Sequence, residues 1–91
     1  MKIRRILDVG IPFRKGVEKA LEVGDELLRE LQLETESSGA GFGYRDMQIV
    51  LDERSDLEIE TIVKKVLKSR GLLKGAYWSI YKEDEEGKTD E

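Results

Sequence analysis

The sequence predicts an α+β sandwich in which two helices cover one face of a four-stranded antiparallel sheet. Two segments place apolar residues three to four positions apart, which is the spacing of an amphipathic helix. Four shorter segments alternate apolar and polar residues, as half-buried strands do. The order of these segments is β-α-β-β-α-β. The chain of 91 residues has the length of one small domain, so we expect any site to be a surface groove or to be completed by a second subunit.

The first half of the chain supplies one strand and one long helix. Residues 2–9 alternate as a strand does, and Gly10 and Pro12 are expected to break the pattern. A helix is predicted from about Arg14 to Leu31. Its apolar positions are Val17, Ala20, Leu21, Gly24, Leu27, Leu28 and Leu31. Gly24 costs roughly 1 kcal/mol relative to alanine, so its place on the apolar face indicates close packing against the sheet or a partner.

Two further strands flank a glycine-rich run in the middle of the chain. Residues 33–38 form the weaker strand, and their charged side chains suit a sheet edge. Residues 44–52 form the stronger strand, because Met47, Ile49 and Leu51 alternate with polar residues. The glycine-rich run is therefore expected to connect the two strands of a hairpin.

The second helix has the clearest boundary signals in the sequence. Residues 55–58, Ser-Asp-Leu-Glu, form a capping box in which the serine and the glutamate satisfy free N–H groups of the first turn. A buried stripe follows at helical spacing, made of Ile59, Ile62, Val63, Val66 and Leu67. Gly71 is expected to end this helix as the residue after the C-cap.

The last strand, residues 76–82, completes the pattern. Its side chains divide into a core-facing pair and an open-face set: Trp78 and Ile80, then Tyr77, Ser79 and Tyr81. The complete order is that of the ferredoxin-like fold, built from two split β-α-β units. This fold leaves one sheet face open, where the tyrosines would stack on a ligand, form a dimer interface or simply be sheet surface.

Charge divides the chain into a body and a tail. The net charge is −4, but residues 83–91 carry six acidic residues against one lysine. We therefore predict a single domain over 1–82, with a net charge of +1, and an acidic disordered tail over 83–91. No apolar run is long enough to span a membrane and no signal-peptide core is present, so we expect a soluble, cytoplasmic protein without a membrane partner.

The composition also restricts the chemistry. The sequence has no cysteine and no histidine, which excludes disulfides, thiolate metal sites and the commonest general base and zinc ligand. We therefore expect no catalytic residues, no metal site and no cofactor, and we expect that the protein is not an enzyme.

The glycine-rich run, residues 37–43, is the first candidate site. In one interpretation it is a hairpin turn with a bulge, and Arg45 is then an ion-pair partner of Asp46 or Asp52. In the other it presents backbone N–H groups to a phosphate, with Arg45 at an exposed strand start. The ligand-binding residues are then Ser37, Ser38, Gly39, Gly41, Gly43, Tyr44 and Arg45.

The loop between the first strand and the first helix is the second candidate. Arg14 and Lys15 lie beside the helix start, where free N–H groups and the helix dipole favour an anion. Otherwise Pro12 and Phe13 close the loop over the core and both charges are solvated. Residues 10–14, Gly-Ile-Pro-Phe-Arg, resemble the phosphate-binding loop of acylphosphatases.

The acylphosphatase resemblance implies that Arg14 binds phosphate. That family also needs an asparagine to orient the attacking water, and this sequence has no asparagine. We therefore expect no acylphosphatase activity.

A second resemblance concerns residues 40–47, Ala-Gly-Phe-Gly-Tyr-Arg-Asp-Met. They are similar to the third-strand signature of RNA recognition motif domains, matching it at Gly41, Phe42, Gly43 and Tyr44. The resemblance implies that Phe42 and Tyr44 stack on single-stranded RNA, and Tyr77 on the open sheet face would join them. The signature's basic residue is replaced by Ala40, and the body is near neutral, whereas RNA phosphates usually need a basic face.

Together these patterns favour a non-enzymatic binding module, expected to be a homodimer. It would hold an anionic small ligand or nucleotide through the glycine-rich hairpin and the basic loop. The alternatives are single-stranded RNA binding on the open sheet face and a protein-interaction or inhibitor module.

Overall fold

The computed structural model describes residues 3–84, which form four strands and two helices in the expected order. Their bounds are β1 Ile3–Pro12, α1 Val17–Leu31, β2 Thr35–Gly41, β3 Tyr44–Val50, α2 Asp56–Ser69 and β4 Tyr77–Asp84. Most of the predicted acidic tail, residues 85–91, lies outside the described residues. Strand β4 extends two residues beyond the predicted body, into the segment assigned to the tail.

The four strands form one antiparallel sheet in the order β2-β3-β1-β4. Both helices lie on the same face, where they bury the side chains of the sheet. The core includes Leu7, Val9 and Ile11 of β1, together with Met47 and Ile49 of β3. This is the ferredoxin-like fold that the sequence predicts.

Strand β1 is longer than predicted, since it continues through Gly10 to Pro12. As the central strand it pairs on one side with β3 and on the other with β4, and these two neighbours override the local break signals. Gly10 lies opposite Tyr77, and the Tyr77 ring occupies the space where a Gly10 side chain would stand. Only glycine admits the ring this closely.

Helix α1 begins three residues later than predicted, at Val17. Phe13 and Gly16 close a turn instead, with the Gly16 N–H donating to the Phe13 carbonyl at 2.7 Å. Gly16 has a φ of 102°, which ordinary residues rarely adopt. Arg14 and Lys15 therefore lie in a turn before the helix and not in its first turn.

The glycine-rich run is mostly strand, which makes the predicted bounds 33–38 wrong for β2. The turn contains only Phe42 and Gly43, with φ values of 54° and 86°, and Gly41 pairs with Tyr44 across it. The register shifts between Thr35 and Ser37, which places a bulge in β2. The run therefore forms a hairpin with a bulge, as the structural interpretation expects, but its turn has only two residues. Pairing with β3 outweighs the weak strand preference of glycine.

The second helix and the side-chain pattern of the last strand agree with the sequence. Ser55 Oγ accepts the Glu58 N–H at 3.2 Å, and the Ser55 N–H donates to Glu58 Oε1 at 3.2 Å, which confirms the capping box. Gly71 follows the helix with a φ of 73°. In β4, Trp78 and Ile80 pack against the core.

Candidate anion-binding site at one end of the sheet

Three loops meet at one end of the sheet, which we call the loop end; they are residues 13–16, 42–43 and 70–76. The Phe13 N–H donates to the Gly43 carbonyl at 2.8 Å and so joins the first loop to the hairpin turn. The Arg14 guanidinium donates to the carbonyls of Gly71 at 2.7 Å and Lys74 at 3.1 Å. Arg14 therefore ties the first loop to the third.

Every charged residue in these three loops is basic. They are Arg14, Lys15, Arg70 and Lys74. The Arg70 charge is balanced by Glu26, whose carboxylate lies 2.5 Å from Arg70 Nε. Lys15 lies with its ammonium group against Gly71. The loop end thus concentrates positive charge, which attracts anions.

The N-terminus of α1 opens at the same end. Its N-cap is Gly16, and no side chain caps its free N–H groups. The first turn of any helix leaves N–H groups without intrahelical acceptors and carries the positive end of the dipole. An anion placed here would accept hydrogen bonds from these N–H groups, at the same end of the sheet as the basic loop residues.

The residues predicted to form one ligand site do not converge. Arg14, Lys15 and Gly43 meet at the loop end. Ser37, Ser38 and Gly39 instead run along the outer strand of the sheet, and Gly41 pairs with Tyr44 beside the turn. Sequence reasoning missed Lys74, although the β-α-β-β-α-β order alone places its loop at the same end as the other two.

Arg45 takes a different position from the one expected. Its side chain is 11% exposed and lies over Gly24 of α1. The guanidinium donates to the Leu21 carbonyl at 2.7 Å and to Asp25 Oδ1 at 3.4 Å. The expected partners, Asp46 and Asp52, are therefore wrong, and Arg45 is not exposed. Its alternation with Met47 and Ile49 places it on the helix face, which was the signal in the sequence.

Two tyrosines of the predicted stacking set meet on the open face. The ring centroids of Tyr44 and Tyr77 are 5.5 Å apart, with the rings tilted by 56°. The Tyr77 hydroxyl donates to Asp46, and this hydrogen bond raises the pKa of Tyr77 to about 12. Phe42 is fully exposed at the hairpin tip and is not part of this ring pair.

Carboxylates dominate the charge of the open face. Asp8 accepts a hydrogen bond from Gln48 Nε2 at 2.9 Å, and Asp46 lies beside Tyr77. Arg4 is held between Glu36 and Glu83 at 2.8 and 2.7 Å. An RNA strand on this face would therefore bring its phosphates towards carboxylates, which repel them.

No described helix is long and apolar enough to cross a membrane.

Comparisons with known proteins identify the fold alone. No protein family matches the sequence, and no curated protein matches it. The structure is similar to a crystal structure of a formyltetrahydrofolate deformylase from Pseudomonas putida KT2440, with a TM-score of 0.53 and 13% sequence identity. The similarity covers 86% of this chain and 28% of the deformylase chain, so this chain corresponds to little more than a quarter of that enzyme.

Proposed function

We propose that this domain is a non-enzymatic module that binds an anionic small ligand or nucleotide at its loop end. The observation that carries the proposal is the start of α1, which has no side-chain cap and lies among three loops whose charged residues are all basic. A helix start of this kind favours phosphate or carboxylate groups.

The residues at the loop end have different roles in this proposal. Lys15 supplies the charge, and the N–H groups after Gly16 supply directed hydrogen bonds. Arg14 holds the loops together, because its guanidinium donates to the carbonyls of Gly71 and Lys74. Arg45 is excluded from the site, since its guanidinium is used on α1.

The deformylase likeness carries no argument for this function. It extends over only 28% of that chain, at 13% identity, and similar folds host many unrelated functions.

Lys15 gives the sharpest test, since its removal disturbs no hydrogen bond between the loops. The purified protein is titrated calorimetrically with a panel of nucleotides, phosphorylated metabolites and a short single-stranded RNA. We expect one member of the nucleotide or metabolite set to bind saturably. Lys15→Ala should weaken that binding by about 1.5–3 kcal/mol, because a charge-assisted contact is lost.

Lys65→Ala is the matched control, since Lys65 is an exposed lysine on α2, and its affinity should equal that of the wild type. If the two variants bind alike, the loop end is not the site. If only RNA binds, the proposed ligand class is wrong.

A further inference from the structure

Strand β2 is a sheet edge with few obstacles to pairing. One side pairs with β3 and the other side has no neighbour within the described sheet. Residues 37–41 read Ser-Ser-Gly-Ala-Gly, so no large or charged side chain protects the edge. Two protective features, the bulge between Thr35 and Ser37 and the exposed charge of Glu36, lie outside this five-residue stretch.

These five residues are complementary to a second copy of themselves. Ser37, Gly39 and Gly41 lie on the open face, because their partners in β3 are Gln48, Asp46 and Tyr44. Ser38 and Ala40 lie on the helix face. An antiparallel pairing about a two-fold axis through Gly39 sets Ser37 opposite the partner's Gly41 and Ser38 opposite the partner's Ala40. Each pair shares a face, contains small side chains and brings no like charges together.

Phe42 follows this stretch, in an exposed position and with an unfavourable backbone conformation. It is fully exposed and has a φ of 54°. Two-residue hairpin turns of this kind prefer asparagine or glycine there, and backbone strain at an exposed aromatic residue points to a role in contact. The pairing about Gly39 sets Phe42 opposite Glu36, the residue within the bulge of the other copy and next to the start of its β2.

A partly apolar groove lies at that position. It separates the end of α1 from the start of β2 and is lined by Leu28, Arg29, Gln32, Leu33, Glu34 and Thr35. Leu28 and Leu33 are only partly buried and pack on the edge of the core. An aromatic ring in this groove would remove apolar surface of both leucines from water.

We propose that two copies of this chain pair through their β2 edges, antiparallel about Gly39, and that Phe42 of each copy fills the groove beside Leu33 of the other. The two sheets then form one sheet of eight strands. The inference concerns assembly and does not depend on the anion site. Five residues of strand pairing make a small interface, so the two Phe42 contacts carry much of the affinity.

Disulfide trapping tests the register. The chain has no cysteine, and no atom lies within 4 Å of the place where a Gly39 side chain would begin. Gly39→Cys should therefore fold normally and form a covalent dimer under mild oxidation. Ser79→Cys on the other edge strand, β4, is the matched control and should stay monomeric. Trapping at Ser79 but not at Gly39, or at neither position, would overturn the proposal.

Sedimentation equilibrium tests the aromatic contact. The wild type should associate reversibly with concentration, and Phe42→Asn should weaken the dimer at least about tenfold, which corresponds to 1.4 kcal/mol. Asparagine tolerates positive φ, so the melting temperature of the monomer should not fall. Leu57→Asn removes another exposed apolar side chain, one on α2, and should leave the dimer unchanged. A Phe42→Asn dimer as tight as the wild type would contradict the proposal.

Discussion

Tyr77 links two strands that are not neighbours. It lies on β4, and its hydroxyl donates to Asp46 on β3, across the central strand β1. The contact is possible because the residue between them is Gly10, over which the ring lies. A side chain at position 10 would push the ring away from the sheet and break the hydrogen bond.

The Tyr77 hydrogen bond makes stability depend on pH at the alkaline end. The hydrogen bond to Asp46, with burial and the nearby carboxylates, raises the pKa of Tyr77 from 10 to about 12. The contribution of this hydrogen bond to stability is therefore complete below pH 10 and is lost as the pH rises through about 12. We expect a tyrosinate absorbance titration to show a late step that Tyr77→Phe removes. The difference in unfolding free energy between wild type and Tyr77→Phe should shrink over the same range.

Two variants separate the effect of the Asp46 hydrogen bond on the pKa of Tyr77 from the effect of burial. Asp46→Asn should move the late step towards pH 10, because the carboxylate acceptor is gone. Tyr81→Phe should leave the late step in place. A late step that persists in Tyr77→Phe would assign it to another tyrosine.

Helix α1 and strand β3 share the hydrophobic core and also a complementary pair of residues, Gly24 and Arg45. Gly24 is buried within the helix, and the Arg45 guanidinium lies where a side chain at position 24 would begin. The guanidinium then donates to the carbonyl of Leu21 in the same helix. The glycine that weakens the helix is the one that admits the arginine.

A double-mutant cycle should expose this coupling. Arg45→Ala should lower the unfolding free energy by about 1–3 kcal/mol, because a largely buried hydrogen-bonded side chain is lost. In that background Gly24→Ala should recover up to about 1 kcal/mol of helix propensity. In the wild type, Gly24→Ala displaces the Arg45 guanidinium, so its gain in unfolding free energy should be smaller. Equal effects of Gly24→Ala in both backgrounds would show that the two residues are independent.

At the scale of the whole molecule, the two ends of the described chain lie together. Ile3 pairs with Asp84 and Arg4 with Glu83, and the Arg4 guanidinium binds the Glu83 carboxylate. Glu83 therefore belongs to the sheet and not to a detached tail. The acidic residue also raises the pKa of Arg4 through their hydrogen bond.

Two truncations should place the end of the folded body. A chain ending after Asp84 keeps all of β4 and should melt like the full-length protein. A chain ending after Lys82 loses two paired residues and the Glu83 contact, so its melting temperature should fall by a few degrees. Thermal unfolding followed by circular dichroism measures both. Identical melting of the two truncations would mean that the last two residues of β4 add nothing.

The elements predicted most accurately from the sequence are those whose signals lie in neighbouring residues. The capping box at Ser55 and the alternation around Trp78 depend on neighbouring residues alone, and both elements appear as expected. Gly10 and the glycines of β2 were misplaced because pairing with neighbouring strands of the sheet outweighs local turn preferences. For the candidate site, the sequence singled out Arg14 and Lys15 because they adjoin a helix start. Lys74 was missed because it adjoins no helix start, although the predicted element order already places its loop at the same end of the sheet.

The central place of β1 has a consequence for synthesis on the ribosome. Strand β1 is made well before its partner β4, because 64 residues lie between Pro12 and Tyr77. At about 5–20 residues per second, that interval is roughly 3–13 s. During it β1 can pair with β3 but has an open edge on its other side. Nascent chains on one polysome are therefore exposed to each other through β1 until β4 emerges and closes that edge.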